Sequence, residues 1–357
     1  MNTIMLARAR GFSLIDIMLG LAIGMIGMLV MMQVYLNSQA SQHTTGETGD
    51  AQINGSMALM SLQRQIRQAG FGVTDLSLRG CSIVLRNGVT LTGLAPLTIN
   101  HAAIPAGDPG SDTLLILMGS DGGSSQGNVI VQQPVNTRYL VATPSAFQTG
   151  DWLIVAPPVR QSPCDLILDA VVTLDTTTAA ITVGIGTAGA AGAAIFNLGS
   201  SPSLLAYAVR HGQLTVCNYL LAECADTTQL DDATVWQAMA VNIVALRAQY
   251  GRDTSVGSMR GQFSVWDQIT PGSVADTSGL HIECSSARIL AARIALVARS
   301  GQLEKAVVTS QAPVWEGSAD VPIDLQQTSD WDHYRYRVFQ SLIPLRNALM
   351  PDAQSGC

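Results

Sequence analysis

From Phe12 to Leu36 the chain is a long, mainly apolar run whose only ionisable groups are Asp16 and the phenol of Tyr35. As a helix this run reaches about 37 Å at ~1.5 Å per residue, enough to cross the ~30 Å hydrocarbon core of a bilayer. The stretch before it, Met1 to Gly11, has Arg8 and Arg10 as its only charges, and after Arg10 no Lys or Arg appears until Arg64. The positive-inside rule therefore predicts a cytoplasmic leader and a body on the far side of the membrane. A secretory signal peptide has a shorter apolar core with its cleavage site behind it. Here the candidate cut precedes the apolar run, so the segment is expected to stay in the mature chain.

The rest of the sequence is long enough for a large core: of 357 residues, 47% are hydrophobic and 13% charged. That composition excludes a disordered tail, and a single apolar run excludes a polytopic membrane protein. Net charge is −7, Lys305 is the only lysine and the arginines are spread thinly, so no nucleic-acid patch is implied. The cysteines (Cys81, Cys164, Cys217, Cys224, Cys284 and Cys357) form no C-x-x-C and have no histidine at zinc-ligand spacing. No metal and no cofactor are expected. On the far side of the membrane the cysteines are expected to form disulfides. Cys217 and Cys224 are near enough for a local loop, Cys81 has Cys164 or Cys284 as candidate partner, and the terminal Cys357 is assigned no partner.

Arg10-Gly11-Phe12-Ser13-Leu14-Ile15-Asp16 resembles the type IV pilin processing motif, G-F-[ST]-L-[IV]-E, at every position but the last, where Asp16 replaces glutamate. The resemblance implies cleavage after Gly11 by a prepilin peptidase/N-methyltransferase and methylation of the new amino terminus on Phe12. It also implies that Asp16 pairs with that amine, on its own or a neighbouring chain, during assembly. Physical chemistry supplies a parallel argument: a carboxylate inside a bilayer costs about 3 kcal/mol, so it needs a cationic partner or a place at the interface. The alternative is that Asp16 sits at headgroup depth near a helix N-terminus, where the dipole favours an anion. Gly20, Gly24 and Gly27 recur at i, i+4 and i+7, a small-residue face for helix packing.

Residues 37–50 are polar and read as a weak or melted stretch. A second helix is predicted up to Ala69, with Ile53, Met57, Leu59 or Met60, and Ile66 as its core stripe and Gly70 as its stop. Beyond Gly72 the pattern turns to strands at 113–118, 128–132, 151–155, 170–174 and 180–185, each bounded by turn residues. The Ala/Gly-rich stretch 187–199 reads as a low-complexity loop. Residues 204–209 and 213–219 form a hairpin across Arg210-His211-Gly212, and further strands are predicted at 241–250, 289–297 and 334–339.

Patterns that would carry catalysis fail on context. Gly123-Ser124-Ser125-Gln126-Gly127 fits G-x-S-x-G, but a strand rather than a helix follows it. His281-Ile282-Glu283-Cys284 contains H-x-E with no P-C-x-x-C behind it. No catalytic residue is assigned. The five histidines are scattered, and the tryptophans are expected to anchor cores.

Asn242-Ile243-Val244-Ala245-Leu246-Arg247-Ala248-Gln249-Tyr250-Gly251, Arg293-Ile294-Ala295-Leu296-Val297, Tyr336-Arg337-Val338-Phe339 and Ile343-Pro344-Leu345-Arg346-Asn347 are similar to the PilW-type minor pilins. This resemblance implies an α+β, type IV pilin-like fold, with a long N-terminal helix packed on a large antiparallel β region. The corresponding segments are a leader (1–11), a transmembrane helix (12–36), a linker with the second half of the helix (37–70) and a periplasmic β-rich body (71–357). It implies a subunit that primes or caps a type IV pilus with other minor pilins and the major pilin, in the bacterial inner membrane and then at the pilus tip. Two other readings are a tip-displayed adhesin or DNA-uptake module, with specificity in residues 85–200, and a type II secretion pseudopilin.

Overall fold

The computed structural model describes residues 14–348 apart from 86–87, 121–122, 124–126, 157 and 162; at 36–48, 50 and 348 only the backbone is described. Gly11 and Phe12, on either side of the expected cleavage point, and the terminal Cys357 lie outside the described residues. The chain divides into two units, Met1–Asp50 and Ala51–Cys357.

Helix α1 runs from Leu14 to Gln68. Its first part, Leu14–Tyr35, is long and apolar enough to cross a membrane, and every residue of it is exposed in the single chain. The expected melted stretch at 37–50 is helical instead. The physical reason lies in the sequence: the stretch contains no proline, and its Gln, Ala, Ser and Glu positions tolerate a helix although none of them demands one. After Gln68, Gly70 takes φ +81° with its N–H on Leu117 O at 2.7 Å, a left-handed conformation that ends the helix. The last carbonyls of the helix, on Gln68 and Ala69, accept from Asn347 Nδ2 at 3.2 and 3.0 Å.

In the second unit, β1 (Ser82–Val84) and β2 (Thr90–Leu91) form a short pair, followed by β3 (Leu97–Ile99) and β4 (Leu114–Met118). Next come β5 (Asn128–Val135), β6 (Arg138–Val141), β7 (Trp152–Ala156), β8 (Asp165–Asp175), β9 (Ala180–Val183) and β10 (Ala194–Gly199). These pair in the order β8-β7-β10-β5-β6-β9, and β9 pairs back onto β8, so the sheet closes into a barrel. Its interior is an apolar cluster of its own that includes Ile130, Tyr139, Phe147, Leu153, Ile181 and Ile195. β1 joins the outside of this barrel through a parallel pairing with β8; the other pairings are antiparallel.

The expected loop at 187–199 is therefore half strand. β10 sits between β7 and β5, and Ala190 and Ala193 just before it are buried in the barrel core. The small side chains that read as low complexity fit a tight interior.

β11 (Ser203–Arg210) and β12 (Gln213–Asn218) form the expected hairpin, and with β13 (Gln237–Val241) they complete a sheet ordered β13-β12-β11-β4-β3. The last sheet, β15-β14-β16-β17, is built from β14 (Ile243–Arg252), β15 (Val265–Asp267), β16 (Ile289–Arg299) and β17 (Tyr336–Pro344), with helix α2 (Ile282–Ala287) leading into β16. β4 shows why its run Leu-Leu-Ile-Leu-Met is apolar throughout: Leu114, Ile116 and Met118 face the core shared with α1, while Leu115 and Leu117 face a second core behind the sheet. β16 alternates likewise, with Ile294 and Leu296 in the α1 core and Ala295 and Val297 under Trp315, Val321 and Ile323. The architecture is α+β, but it comprises separate sheets and a barrel rather than one large antiparallel sheet.

Candidate functional site

The second half of α1 packs on the β body through one continuous apolar core. Between Ala51 and Ala69, α1 buries Ala51, Ala58, Leu59, Leu62, Ile66 and Ala69 against Leu97, Ile116, Tyr207, Leu246, Ile294 and Ile343. Each buried Leu or Ile contributes on the order of 2 kcal/mol by area removed from water. The predicted stripe was half right: Leu59 and Ile66 are buried, whereas Ile53, Met57 and Met60 are exposed. The helix has two apolar faces at helical spacing, and periodicity alone does not say which one meets the sheet.

Polar contacts fix the register of this packing. The Tyr207 hydroxyl donates to Gln65 Oε1, Gln63 Nε2 donates to Ser341 Oγ, and Arg337 Nη1 donates to Gln52 Oε1 at 3.0 Å. Burial pushes the Tyr207 phenol well above its usual pKa, partly offset by the Gln65 hydrogen bond. Burial likewise pushes Tyr250 up to about 12, against its hydrogen bond from Ile99 N. Neither phenol ionises near neutral pH, so both act as fixed hydrogen-bonding pegs. Asp112, buried between two sheets, accepts from Asn100 Nδ2 (3.0 Å), Ala248 N (3.0 Å), Gln268 Nε2 (2.7 Å) and Arg247 Nη1 (3.3 Å). Nothing in the sequence pattern marks this ionic hub; only spatial neighbours reveal it.

Asp16 lies in the first turn of α1. Gly20, Gly24 and Gly27 have no atom within 4 Å of where a Cβ would stand, so in the single chain their face is open. Cys81 is bonded to Cys164 with Cα atoms 4.7 Å apart, and Cys217 to Cys224 with Cα atoms 5.8 Å apart. The first staple ties the segment after α1 to the strand entering the barrel; the second closes the loop after β12. Cys284 is also disulfide-bonded.

The patterns tested for catalysis fall apart in space. In His281-Ile282-Glu283-Cys284, the cysteine is consumed by its disulfide and Glu283 lies 3.8 Å from Arg160. Ser124, Ser125 and Gln126 lie outside the described residues. Among the described residues no group of three or more His, Cys, Asp or Glu side chains could hold a metal ion. His101 is a core residue: Nε2 donates to Thr92 O at 2.9 Å and Nδ1 accepts from Ala103 N at 3.0 Å. Burial lowers its pKa, partly offset by the Thr92 bond. Trp236 and Trp315 are buried, with Arg210 stacked 4.4 Å from the ring centre of the first and Arg293 between Trp266 (4.7 Å) and Trp315 (5.5 Å).

A chain that has both a membrane-length N-terminal helical segment and a disulfide-bonded β body fits a protein of the membrane or cell envelope. Comparison with protein families narrows this: the family model of Type IV Pilus-assembly protein W, PilW, matches residues 207–347. Over that stretch, which runs from β11 through β17 to the Asn347 that caps α1, the chain is similar to the PilW type IV pilus-assembly proteins. No curated protein and no solved structure matches the chain. The barrel, residues 128–199, lies wholly outside the matched stretch.

Proposed function

We propose that this chain is a minor pilin: a subunit that is inserted in the inner membrane, cleaved after Gly11, methylated on Phe12, and assembled with other minor pilins and the major pilin to prime or cap a type IV pilus. The observation that carries the reading is the PilW match over residues 207–347 in a chain that opens with a membrane-length helix. The sheets on which α1 packs are built largely from the matched residues. In this reading the arginine-bearing leader stays cytoplasmic, the body is periplasmic, and Asp16 pairs with the Phe12 amine of its own or a neighbouring chain. Gly20, Gly24 and Gly27 offer the close approach that parallel membrane helices use.

Electron microscopy of a strain lacking the gene tests this directly: loss or sharp reduction of pili, restored by the wild-type gene, is expected. Undiminished pili would sink the reading. N-terminal mass spectrometry of the chain purified from membranes is expected to find methylated Phe12 as the first residue; an intact leader contradicts the processing.

A second reading has its own observation. The barrel has a closed hydrogen-bonded wall and a private core, and it is inserted between β4 and β11, which pair directly with each other. A module added in this way to a pilus-type frame suits a displayed binding function. Deleting 128–199 would then abolish adhesion or DNA uptake while pili persist. Genes for secretion rather than pili beside this one would favour the pseudopilin variant.

A further inference from the structure

We propose that the outward face of α1 from Ile53 to Arg67 is a docking seam for a helix of a different subunit, one with apolar residues opposite Ile53, Met57 and Met60 and carboxylates opposite Arg64 and Arg67. This rests on the assembly reading above and specifies the chemistry of the partner. Ile53, Met57, Met60, Arg64 and Arg67 follow one another at spacings of four, three, four and three. That is the repeat of a left-handed coiled-coil seam, which keeps one narrow face toward a partner helix over several turns.

The seam is turned away from the chain's own core. Ile53, Met57 and Met60 are 56, 65 and 68% exposed, while Leu59, Leu62 and Ile66 on the other face are buried. A row of large apolar side chains left in water along one face marks an interaction surface. At its far end Met57, Met60, Arg64 and Arg67 line an open groove of about 670 Å³, with Arg346 contributed by the segment after β17.

Charge chooses the partner. Arg64, Arg67 and Arg346 take part in none of the ion pairs among the described residues. From Ala51 to Gln68 the helix has no Asp or Glu, in a chain whose net charge is −7. This local positive end therefore runs against the overall charge and calls for carboxylates from outside. A second copy is the wrong occupant: copies anchored in one membrane run parallel, and in register they set Arg64 and Arg67 against their own counterparts. A heterologous helix with an acidic pair at this depth meets both the apolar and the charged requirement, as seam charges do when they select partners.

The test uses the full chain in its native membranes, with the photoreactive amino acid benzoylphenylalanine at position 60 and the crosslinked peptide read by mass spectrometry. The expected crosslink enters a helical segment of another pilus subunit, with Asp or Glu within two turns of the attachment point. Arg64→Glu together with Arg67→Glu is expected to lower the crosslink yield at least tenfold at equal membrane abundance, and changing the partner's carboxylates to arginine is expected to restore it. A crosslink to a second copy, no crosslink, or a yield that charge reversal leaves unchanged overturns the seam. Pili that persist when the whole gene is deleted sink the assembly reading instead, whatever the crosslink shows.

Discussion

Gly55 of α1 lies against the ring of Phe339 on β17 so closely that a Cβ at position 55 would stand 2.3 Å from Cε2 and 2.4 Å from Cδ2. A glycine in a helix interior costs about 1 kcal/mol against alanine, and the contact explains why one is there. It lets the helix settle onto the last strand while Gln63 and Gln52 on neighbouring turns reach Ser341 and Arg337.

Gly55→Ala is accordingly expected to lower the melting temperature of the detergent-solubilised chain. Overpacking costs about 1–3 kcal/mol, which outweighs the gain of about 1 kcal/mol in helix propensity. Phe339→Leu added to the same chain is expected to recover most of the loss. A Gly55→Ala chain that melts higher than wild type would show that the ring moves aside freely.

The two staples differ in what they close. For the Cys81–Cys164 bond, with a sequence separation of 83, chain-entropy arguments give about 4–5 kcal/mol. For Cys217–Cys224, with a separation of 7, they give about 2 kcal/mol. Cys81→Ser with Cys164→Ser is therefore expected to destabilise about twice as strongly as the double serine change at 217 and 224, measured by denaturant unfolding. Alkylation of the denatured, unreduced protein is expected to leave Cys81, Cys164, Cys217, Cys224 and Cys284 unmodified.

His101 ties stability to pH. Its pKa is lowered by burial, and protonating Nδ1 would break the bond from Ala103 N. In the unfolded chain the ring takes up a proton near pH 6.5, whereas in the folded chain it does not until the pH is lower still. Its contribution is thus fully present above about pH 6.5 and declines as pH falls below that value. Thermal melts between pH 7.5 and 5 are expected to show this decline, and His101→Gln is expected to flatten it. An equal slope in the variant would assign the effect to another group.

Asp16→Ala is expected to leave membrane insertion and cleavage intact while reducing recovery of the other minor pilins in co-purification. Asp16→Glu keeps the charge and extends its reach, and is expected to recover them at least as well as wild type. Equal recovery with the alanine chain would make Asp16 an interfacial anion with no assembly role.

Features encoded locally were legible in the sequence. The apolar run before Leu36, the glycine that ends α1, and the hairpin turning at His211-Gly212 each depend on residues adjacent in the chain, so composition and spacing are enough to find them. The resemblance in the last third, read from segments such as 242–251 and 336–339, falls inside the residues that match PilW.

The tertiary structure decided everything that depends on distant partners. Ile53, Met57 and Met60 repeat as regularly as Leu59, Leu62 and Ile66, and only the sheets beneath α1 select which row is buried. Residues 194–199 look like filler until β7 and β5 close on either side of them. The choice of Cys164 for Cys81 and the convergence of Asn100, Arg247 and Gln268 on Asp112 join residues far apart in the chain. Helical and strand periodicities report which faces a segment offers; which face is covered is set by the long-range burial and hydrogen bonding that only the folded chain brings together.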